Sequence, residues 1–415
     1  MRLWLALRIW LTGAPHALGF AIFCAQVALG IVIFAVFQEF VPNNLGASDG
    51  FGGYLLALYG GARFLSETPA GAISDRIERK YALLLGFALM IPALALMGMI
   101  QQEWAYLGFS ALLGISTAFI WPATYAIGAD LYPPTERGKV VGFLNVGQLL
   151  GFGLGSLVGA LLVETVPNSL FIIGIVAVVG AMITAQLGVP AYRRELGAIH
   201  EQRPPLRSVV SKRLVFLSAL ILSATIGISS LVPAIRPYGD NVLDISFAQL
   251  TVFLIPAVVA GGILYVPSGH LSDRIGRTLP LLLGQFLIIA GALTAAATVN
   301  IFLAAFATAV IFSGHVQQVP ALNASMMDLA PESYRGTLIG WSVALSGLGL
   351  AVGPALGGGV VDAYGAPMAF QTGAMVAGFT ALLTIGYGLV YGYARPTHPH
   401  EAGDEAETKA TEGQG

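Results

Sequence analysis

Long runs without a charged residue divide this sequence and limit what it can fold into. Ten runs of more than 20 residues contain no Asp, Glu, Lys or Arg, and nine of them have a length that suits a single span. A helix needs about 20 apolar residues to cross the hydrocarbon core of a bilayer, which is about 30 Å thick. We therefore predict one membrane-spanning helix in each of residues 9–38, 81–102, 104–129, 140–163, 165–192, 214–235, 245–272, 336–361 and 363–394.

Two further regions bring the predicted number of spans to twelve. Residues 278–327 are uncharged throughout and long enough for two spans, which we expect to be joined near residues 298–300. Residues 52–74 form the remaining span, which carries two charges inside it, Arg63 and Glu67. The predicted fold class is an all-α membrane protein with 12 transmembrane helices.

The composition excludes several other classes of protein. Charged residues make up 10% of the chain, against about 25% in soluble globular domains. Cys24 is the only cysteine in the sequence, so neither an internal disulfide nor a thiolate metal cluster can form. The net charge of -2 gives no basic field for a nucleic acid. The sequence has no His-Glu-x-x-His, Gly-x-Ser-x-Gly or phosphate-binding loop, so we expect no enzyme, cofactor or metal site.

Basic residues are distributed unevenly between the two ends of the spans. Of the 20 Lys and Arg residues, 18 lie on one side, Arg63 lies inside a span, and Arg236 lies on the other side. We call these sides the basic end and the acidic end; the acidic end carries Glu39, Asp49, Glu103, Glu164, Asp240, Asp244 and Asp362. Because positively charged loops stay in the cytoplasm, we expect cytoplasmic termini in a cell (inner) membrane protein. Residues 1–17 resemble a signal peptide, but Arg8 interrupts the apolar run, so we expect no cleavage.

The chain contains two copies of one unit, displaced by 198 residues. The pairs related in this way include Gly71 and Gly269, Asp75 and Asp273, Arg76 and Arg274, Arg79 and Arg277, Asp130 and Asp328, and Arg137 and Arg335. An ungapped repeat of this length indicates a duplicated six-helix unit. We predict an N-terminal bundle at 1–190, a cytoplasmic linker at 191–211, a C-terminal bundle at 212–394 and a disordered tail at 395–415.

The loops of the two copies resemble those of the major facilitator superfamily of transporters. Residues 71–80 read Gly-Ala-Ile-Ser-Asp-Arg-Ile-Glu-Arg-Lys, similar to the family's Gly-x-x-x-Asp-Arg-x-Gly-Arg-Arg between spans 2 and 3. Residues 269–278 repeat the motif between spans 8 and 9; Glu78 and Thr278 depart from it. The resemblance covers residues 10–394 and implies two pseudo-symmetric six-helix bundles around a central substrate cavity.

The resemblance also implies an ionic latch at the basic end, which would hold that end shut and break in the inward-facing state. The candidate latch residues are Gly71, Asp75, Arg76, Arg79, Asp130, Arg137, Gly269, Asp273, Arg274, Arg277, Asp328 and Arg335. The carboxylates that the arginines could reach are Asp130, Glu136, Asp328 and Glu332. The alternative is that these basic residues only set the topology.

Glycines recur at regular spacing on spans 5 and 11. The segment on span 5 resembles a signature of efflux antiporters, although Ser156 stands where proline is expected. Small residues four apart let helices approach closely, and we expect this approach between the two halves. Packing alone also explains the pattern, so it gives only moderate support to export. The helix-packing candidates are Gly151, Gly155, Gly159, Gly349, Gly353 and Gly357.

The charges inside span 2 are candidates for coupling to protons. At 1.5 Å per residue, Arg63 lies roughly 18 Å and Glu67 roughly 12 Å from Asp75. A charge at that depth costs at least about 2.5 kcal/mol unless it is paired or hydrated. Glu67 could take up and release a proton, or Arg63 and Glu67 could form a permanent ion pair. His315 is a third candidate that could equally make a structural hydrogen bond.

Polar and aromatic side chains on the inner spans are candidates for the substrate cavity. They are Gln26, Trp121, Tyr125, Asn145, Gln148, Ser229, Arg236, Gln318, Asn323 and Trp341. Each amide could instead hold two helices together, and Arg236 could be a gate or a surface pair. A cavity of amides and aromatics with few charges suits neutral, amphipathic or weakly charged organic molecules.

These features predict a monomeric secondary transporter that exports small organic molecules across the bilayer by alternating access, with protons as the coupled ion. Uptake or facilitated passage of a nutrient or metabolite is the alternative within transport. A non-transporting membrane receptor is the alternative from another class. A receptor could lose the latch residues without penalty, whereas this chain keeps both copies.

Overall fold

A computed structural model of the protein describes residues 14–131, 137–190, 211–329 and 335–391. These residues form twelve long helical segments. The first is α1, Ala14–Gly30, which continues as a π-helix at Ile31–Phe40 and a short helix at Val41–Leu45. The others are α2 Phe51–Arg76, α3 Arg79–Met99, α4 Glu103–Leu131, α5 Arg137–Val163, α6 Ser169–Gly188, α7 Lys212–Ser229, α8 Phe247–Ile275, α9 Thr278–Ala297, α10 Ile301–Leu329, α11 Arg335–Tyr364 and α12 Ala366–Tyr391.

The segments agree with the spans predicted from the charge-free runs. Ten of them are long and apolar enough to cross a membrane; the other two are α2, which carries Arg63 and Glu67, and α8. The uncharged run 278–327 forms two helices joined at residues 298–300, as predicted. Residues 191–210, most of the predicted linker, and the predicted tail lie outside the described residues.

The duplication in the sequence is visible in the helix boundaries. Glu103–Leu131 and Ile301–Leu329 begin and end 198 residues apart, and Arg137–Val163 and Arg335–Tyr364 also begin 198 residues apart. The halves are therefore α1–α6 and α7–α12, two versions of one six-helix bundle. This confirms the predicted all-α fold of two pseudo-symmetric bundles.

Local sequence signals fix the helix ends at the acidic end. A capping box starts α8, in which Ser246 Oγ accepts from the N–H of Gln249 and Gln249 Oε1 accepts from the N–H of Ser246. Asn300 Oδ1 accepts from the N–H groups of Phe302 and Leu303 and so starts α10. These bonds satisfy N–H groups that a helix start leaves free.

The regular glycines of α5 and α11 pack within each half, which corrects our expectation that they join the halves. A Cβ added at Gly155 would clash with the carbonyl oxygen of Val27 on α1, and one added at Gly357 would clash with that of Ser230 at the end of α7. The other four candidates, Gly151, Gly159, Gly349 and Gly353, also face α1 or α7. Small residues let α5 lie directly on α1 and α11 on α7, so each half is tightly packed.

Helices α2 and α11 make the close contact between the halves. A Cβ added at Gly53 or Gly60 would come within 3.0 Å of the α11 backbone. A Cβ added at Gly71 or Gly340, near the basic end of the same two helices, would have no atom of the described residues within 4 Å. Leu65 on α2 is 73% exposed. The two helices are therefore in contact at the acidic end and lose this close packing toward the basic end.

Candidate functional site

Arg236 forms the centre of a buried charge cluster at the acidic end. Its Nε donates to Glu39 Oε2 at 3.0 Å, and its Nη1 donates to Asp49 Oδ1 at 2.6 Å. Its Nη2 lies 2.9 Å from Asp240 Oδ2 and donates to Asn43 Oδ1 at 2.6 Å. We call these five residues the acidic-end cluster. Three carboxylates and one amide therefore surround a guanidinium that is 7% exposed.

The chain around Arg236 is irregular, which places its side chain in this cluster. Beyond α7 it forms a short helix at Ile235–Tyr238 and a π-helix at Gly239–Leu243. Pro233 and Pro237 have no N–H to donate, so the α-helical hydrogen-bond pattern is interrupted twice within this short segment. Arg236 lies between these two prolines, and its side chain points to the π-helix and the short helix that follow α1.

The cluster links the two halves of the molecule. Glu39, Asn43 and Asp49 belong to the first half, whereas Arg236 and Asp240 belong to the second. Glu39 is 5% exposed, and its second oxygen accepts from Asn43 Nδ2 at 2.5 Å. A buried ion pair is strongly destabilised when one partner is removed, because the other charge stays buried without compensation. If the halves separate at this end, water or new partners must replace the bonds between these charged groups.

Asp362 at the end of α11 makes a second link between the halves. Its Oδ1 accepts from the N–H of Gly50 at 2.7 Å, and its Oδ2 accepts from Ser48 Oγ at 2.9 Å and from the Tyr54 hydroxyl at 3.4 Å. The hydrogen bonds that the structure describes between the halves all lie at this acidic end. The described part of the molecule is therefore closed at the acidic end.

The sequence prediction identified Arg236 as a candidate gate beside Asp240 and Asp244, and it did not assign the partners Glu39, Asn43 and Asp49 in the first half. Glu39, Asn43, Asp49 and Asp240 lie near predicted span ends, where polar residues are common. One signal was present: Arg236 is the one basic residue on a side with seven acidic residues. A lone arginine among that many carboxylates is expected to attract several of them.

Arg63 and Glu67 form an ion pair inside α2. Arg63 Nε lies 2.9 Å from Glu67 Oε1, and the two side chains are 19% and 10% exposed. The pair is formed in this structure, which agrees with both interpretations: a permanent pair, or a pair that opens when Glu67 takes up a proton. The mutual pairing lowers the cost of placing either charge at this depth.

An aromatic and amide wall lies on the facing sides of α4 and α5. The rings of Trp121 and Tyr125 stack with their centroids 5.7 Å apart. The Tyr125 hydroxyl donates to Asn145 Oδ1 at 3.1 Å, and Gln148 is half-buried one helical turn further along α5. Such a wall offers flat apolar surface together with amide donors and acceptors, which suits an amphipathic ligand.

Three predicted cavity residues serve other contacts. Gln318 is 1% exposed and accepts from Gln285 Nε2 of α9, so it joins two helices of the second half. Ser229 donates to the Thr225 carbonyl at 2.6 Å and to the Gly349 carbonyl at 3.2 Å, which ties α7 to α11. Arg236 belongs to the acidic-end cluster. Each side chain is directed toward a neighbouring helix or the opposite half, a direction that residue spacing does not reveal.

The other predicted cavity and coupling residues have varied surroundings. Gln26 is buried on α1, where a Cβ added at Gly151 would lie 2.9 Å from its Cβ. Asn323 is exposed. Trp341 is 47% exposed and its indole N–H donates to Ser218 Oγ at 2.9 Å. The His315 ring packs edge-on against Phe312, and its Nδ1 is buried with no hydrogen-bond partner in the described residues.

The basic end contains only part of the predicted latch within the described residues. Arg277 Nε pairs with Asp328 Oδ2 at 3.1 Å, and Arg79 Nη1 donates to the Ala126 carbonyl at 2.9 Å. The first contact lies within the second half and the other lies within the first half, so neither joins the two halves. Arg76 and Arg274 are exposed. The side chains of Asp75, Asp130, Arg137, Asp273 and Arg335, the surroundings of Gly269, and residues 136 and 332 lie outside the described part.

Known proteins with similar sequences include transporters named for drug resistance. Multidrug resistance protein MdtG of Salmonella paratyphi B is 25% identical over 323 residues, covering 75% of this chain and 79% of that protein. Multidrug resistance protein 2 of Bacillus subtilis is 26% identical over 389 residues, covering 89% of this chain and 93% of that protein.

A solved structure of a membrane transporter has the same fold. It is a bacterial homolog to the human lysosomal transporter Spinster, in an inward-facing and occupied conformation. It superposes with a TM-score of 0.75 over 90% of this chain and 96% of that chain, at 13% sequence identity. The sequence profile described as Major Facilitator Superfamily matches residues 18–341 and 257–412. Together with twelve helices in two related halves, this match shows that the chain belongs to the Major Facilitator Superfamily of membrane transporters.

Proposed function

We propose that this transporter exports small, neutral or amphipathic organic molecules from the cytoplasm in exchange for protons. The observation that carries the proposal is the difference in packing between the two ends of the molecule. The acidic-end cluster and Asp362 close one end, whereas α2 and α11 lose their close contact toward the other. With the basic end in the cytoplasm, this state receives its ligand from inside the cell.

Alternating access then requires the two ends to exchange roles. A molecule that enters from the cytoplasm meets the wall formed by Trp121, Tyr125 and Asn145. Release outside requires the bonds of Arg236 to Glu39 and Asp49 to break. The basic-end latch residues would approach one another in that state. The helices within each half stay packed through the glycines of α5 and α11, so the halves move as units.

Export of drug-like organic molecules is supported by the relatives named for multidrug resistance. The wall of α4 and α5 carries no charge, so its amides and aromatic rings suit a ligand without a strong net charge. Arg63 and Glu67 are the charged residues nearest the middle of the described helices. Proton exchange at Glu67 would require its bond to Arg63 to open during the cycle.

Inside-out membrane vesicles containing the protein should accumulate radiolabelled chloramphenicol, a neutral amphipathic probe, when their lumen is acidified. One proton exchanged per probe molecule can support about tenfold accumulation for each pH unit, because one unit corresponds to about 1.4 kcal/mol. Nigericin, which collapses the pH gradient, should abolish the accumulation. Vesicles without the protein provide the baseline. Equilibration of the probe that ignores the gradient would instead show facilitated passage.

Glu67→Gln should abolish the gradient-driven part of this accumulation while probe exchange without a gradient remains measurable. The neutral amide keeps the shape of the side chain but cannot bind or release a proton. Glu103→Gln is a matched control because Glu103 is an exposed carboxylate at the start of α4, outside α2 and outside the acidic-end cluster. Undiminished coupling in Glu67→Gln would mean that Arg63 and Glu67 form a purely structural pair.

A further inference from the structure

A groove of about 500 Å³ lies between α7 and α12 at the basic end of the second half. Val215, Phe216, Ala219 and Leu383 line it, and Ser211 and Lys212 lie at its mouth. Its volume is within the range of about 300 to 1,000 Å³ that small-ligand sites occupy. It is separate from the acidic-end cluster and from the wall of α4 and α5.

The groove owes its shape to a side chain that turns inward and to two small residues. The Phe216 ring packs against the rings of Tyr387 and Tyr391, with centroids 5.8 Å and 6.4 Å away. A Cβ added at Gly386 would lie 3.4 Å from the end of that ring, so α12 approaches it closely. Ala219 is small and exposed, which leaves the groove open along α7.

The surface around the groove has the character of a lipid-facing surface. On α12, Phe379, Leu382 and Leu389 are 57%, 68% and 74% exposed, and their spacing of three to seven residues puts them on one face. Val215 on α7 is 61% exposed. Lipid acyl chains pack against a contiguous exposed apolar strip of this kind on a membrane-spanning helix.

The mouth of the groove carries one positive charge that faces outward. Arg213 is directed inward, where its Nε donates to the Tyr387 hydroxyl at 2.8 Å and its guanidinium lies over two tyrosine rings. Lys212, the next residue, is exposed at the start of α7. Ala219 lies seven residues further, about 10 Å deeper at 1.5 Å per residue. The groove therefore has a cationic mouth at headgroup level and an apolar floor at acyl-chain level.

We propose that this groove binds an anionic phospholipid of the cytoplasmic leaflet. The lipid phosphate pairs with Lys212, and one acyl chain lies along Val215, Phe216, Ala219 and Leu383. Charge complementarity selects an anionic headgroup over a zwitterionic one, because basic sites between spanning helices at the cytoplasmic surface attract anionic lipids. The site does not depend on the proposed direction of transport or on proton coupling.

The test measures binding of fluorescent phosphatidylglycerol and fluorescent phosphatidylcholine to the purified full-length protein in detergent. Each basic residue at the membrane surface contributes about 1 kcal/mol to the attraction of anionic lipid, or about fivefold in affinity. Phosphatidylglycerol should bind about fivefold more tightly than phosphatidylcholine. Lys212→Gln should remove this difference, and Lys212→Arg should keep it.

A second pair of variants tests the apolar part of the groove. Ala219→Leu should weaken binding of both lipids because it fills the groove. Ala88→Leu, which makes the same change at an exposed position on α3 outside the groove, should leave both affinities unaltered. The proposal would be overturned by phosphatidylglycerol selectivity that persists in Lys212→Gln, or by lipid binding that Ala219→Leu does not weaken. Displacement by glycerol phosphate alone would show an anion site without an acyl chain and would also contradict it.

Discussion

Arg236→Gln should open the acidic end of the transporter. Glutamine cannot supply the four contacts that Arg236 makes to Glu39, Asn43, Asp49 and Asp240. Removing one partner of a buried ion pair costs about 3 to 5 kcal/mol. That cost applies to the closed state alone, since water hydrates the carboxylates once the halves separate. The ratio of open to closed molecules should therefore rise a hundredfold or more, at about 1.4 kcal/mol per factor of ten.

A distance measurement between two spin labels would detect this change. Val166 in the first half and Val299 in the second are exposed at the acidic end, 47% and 77%. Cysteines at these positions, in a Cys24→Ser background, carry the labels. The Arg236→Gln protein should show a longer distance than the parent. Gradient-driven accumulation of the probe should fall as well, because the state closed at the acidic end becomes rare.

Asp244→Asn is the matched control for this experiment. Asp244 is an exposed acidic residue of the same segment, outside the acidic-end cluster, with a φ of 55°. Asparagine tolerates that left-handed conformation, so the change removes a charge without straining the backbone. The label distance should match the parent. An unaltered distance in Arg236→Gln would show that the cluster does not hold the halves together.

Gly155→Leu should destabilise the first half strongly. The added side chain would meet the backbone of α1 at Val27, which cannot rotate away as a flexible side chain could. Overpacking of a well-packed interior costs typically about 1 to 3 kcal/mol and occasionally more. A clash with the backbone should cost an amount at the upper end of this range, because α1 or α5 must shift as a whole to relieve it. The thermal unfolding temperature of the purified protein should fall.

Gly153→Leu provides a control on the same helix. A Cβ at Gly153 would have no neighbouring atom within 4 Å in the described part of the chain. Both substitutions raise helix propensity to the same extent, by up to about 1 kcal/mol. The difference between the two unfolding temperatures therefore reports the contact of α5 with α1. Equal unfolding temperatures would mean that this contact is not under steric constraint.

The number of spans and their duplication could be predicted because both depend on local composition and on repetition. The uncharged run 278–327 forms two helices joined at residues 298–300, as predicted. The displacement of 198 residues recurs at both ends of α4 and α10. Hydrophobic length fixes a span without reference to its neighbours, so such features need no knowledge of tertiary packing.

The direction in which each side chain points could not be predicted in the same way. Gln318 has the same amide as Gln148, yet it joins two helices of one half. Sequence spacing gives the relative angle of residues on one helix but not the rotation of that helix in the bundle. The same limit led us to expect the glycines of α5 and α11 between the halves, whereas they pack against α1 and α7.

The acidic-end cluster depends on a difference between two copies of one ancestral unit. The position 198 residues before Arg236 is Gln38, and the position 198 residues before Asp240 is Pro42. In a twofold-symmetric pair of identical copies, residue i of one copy contacts residue j of the other. In a homodimer of the first half, Glu39 and Asp49 would therefore meet Gln38 of the other copy in place of Arg236 and would lack a cationic partner. Closure at this end by complementary charges therefore requires an arginine that only the second copy carries.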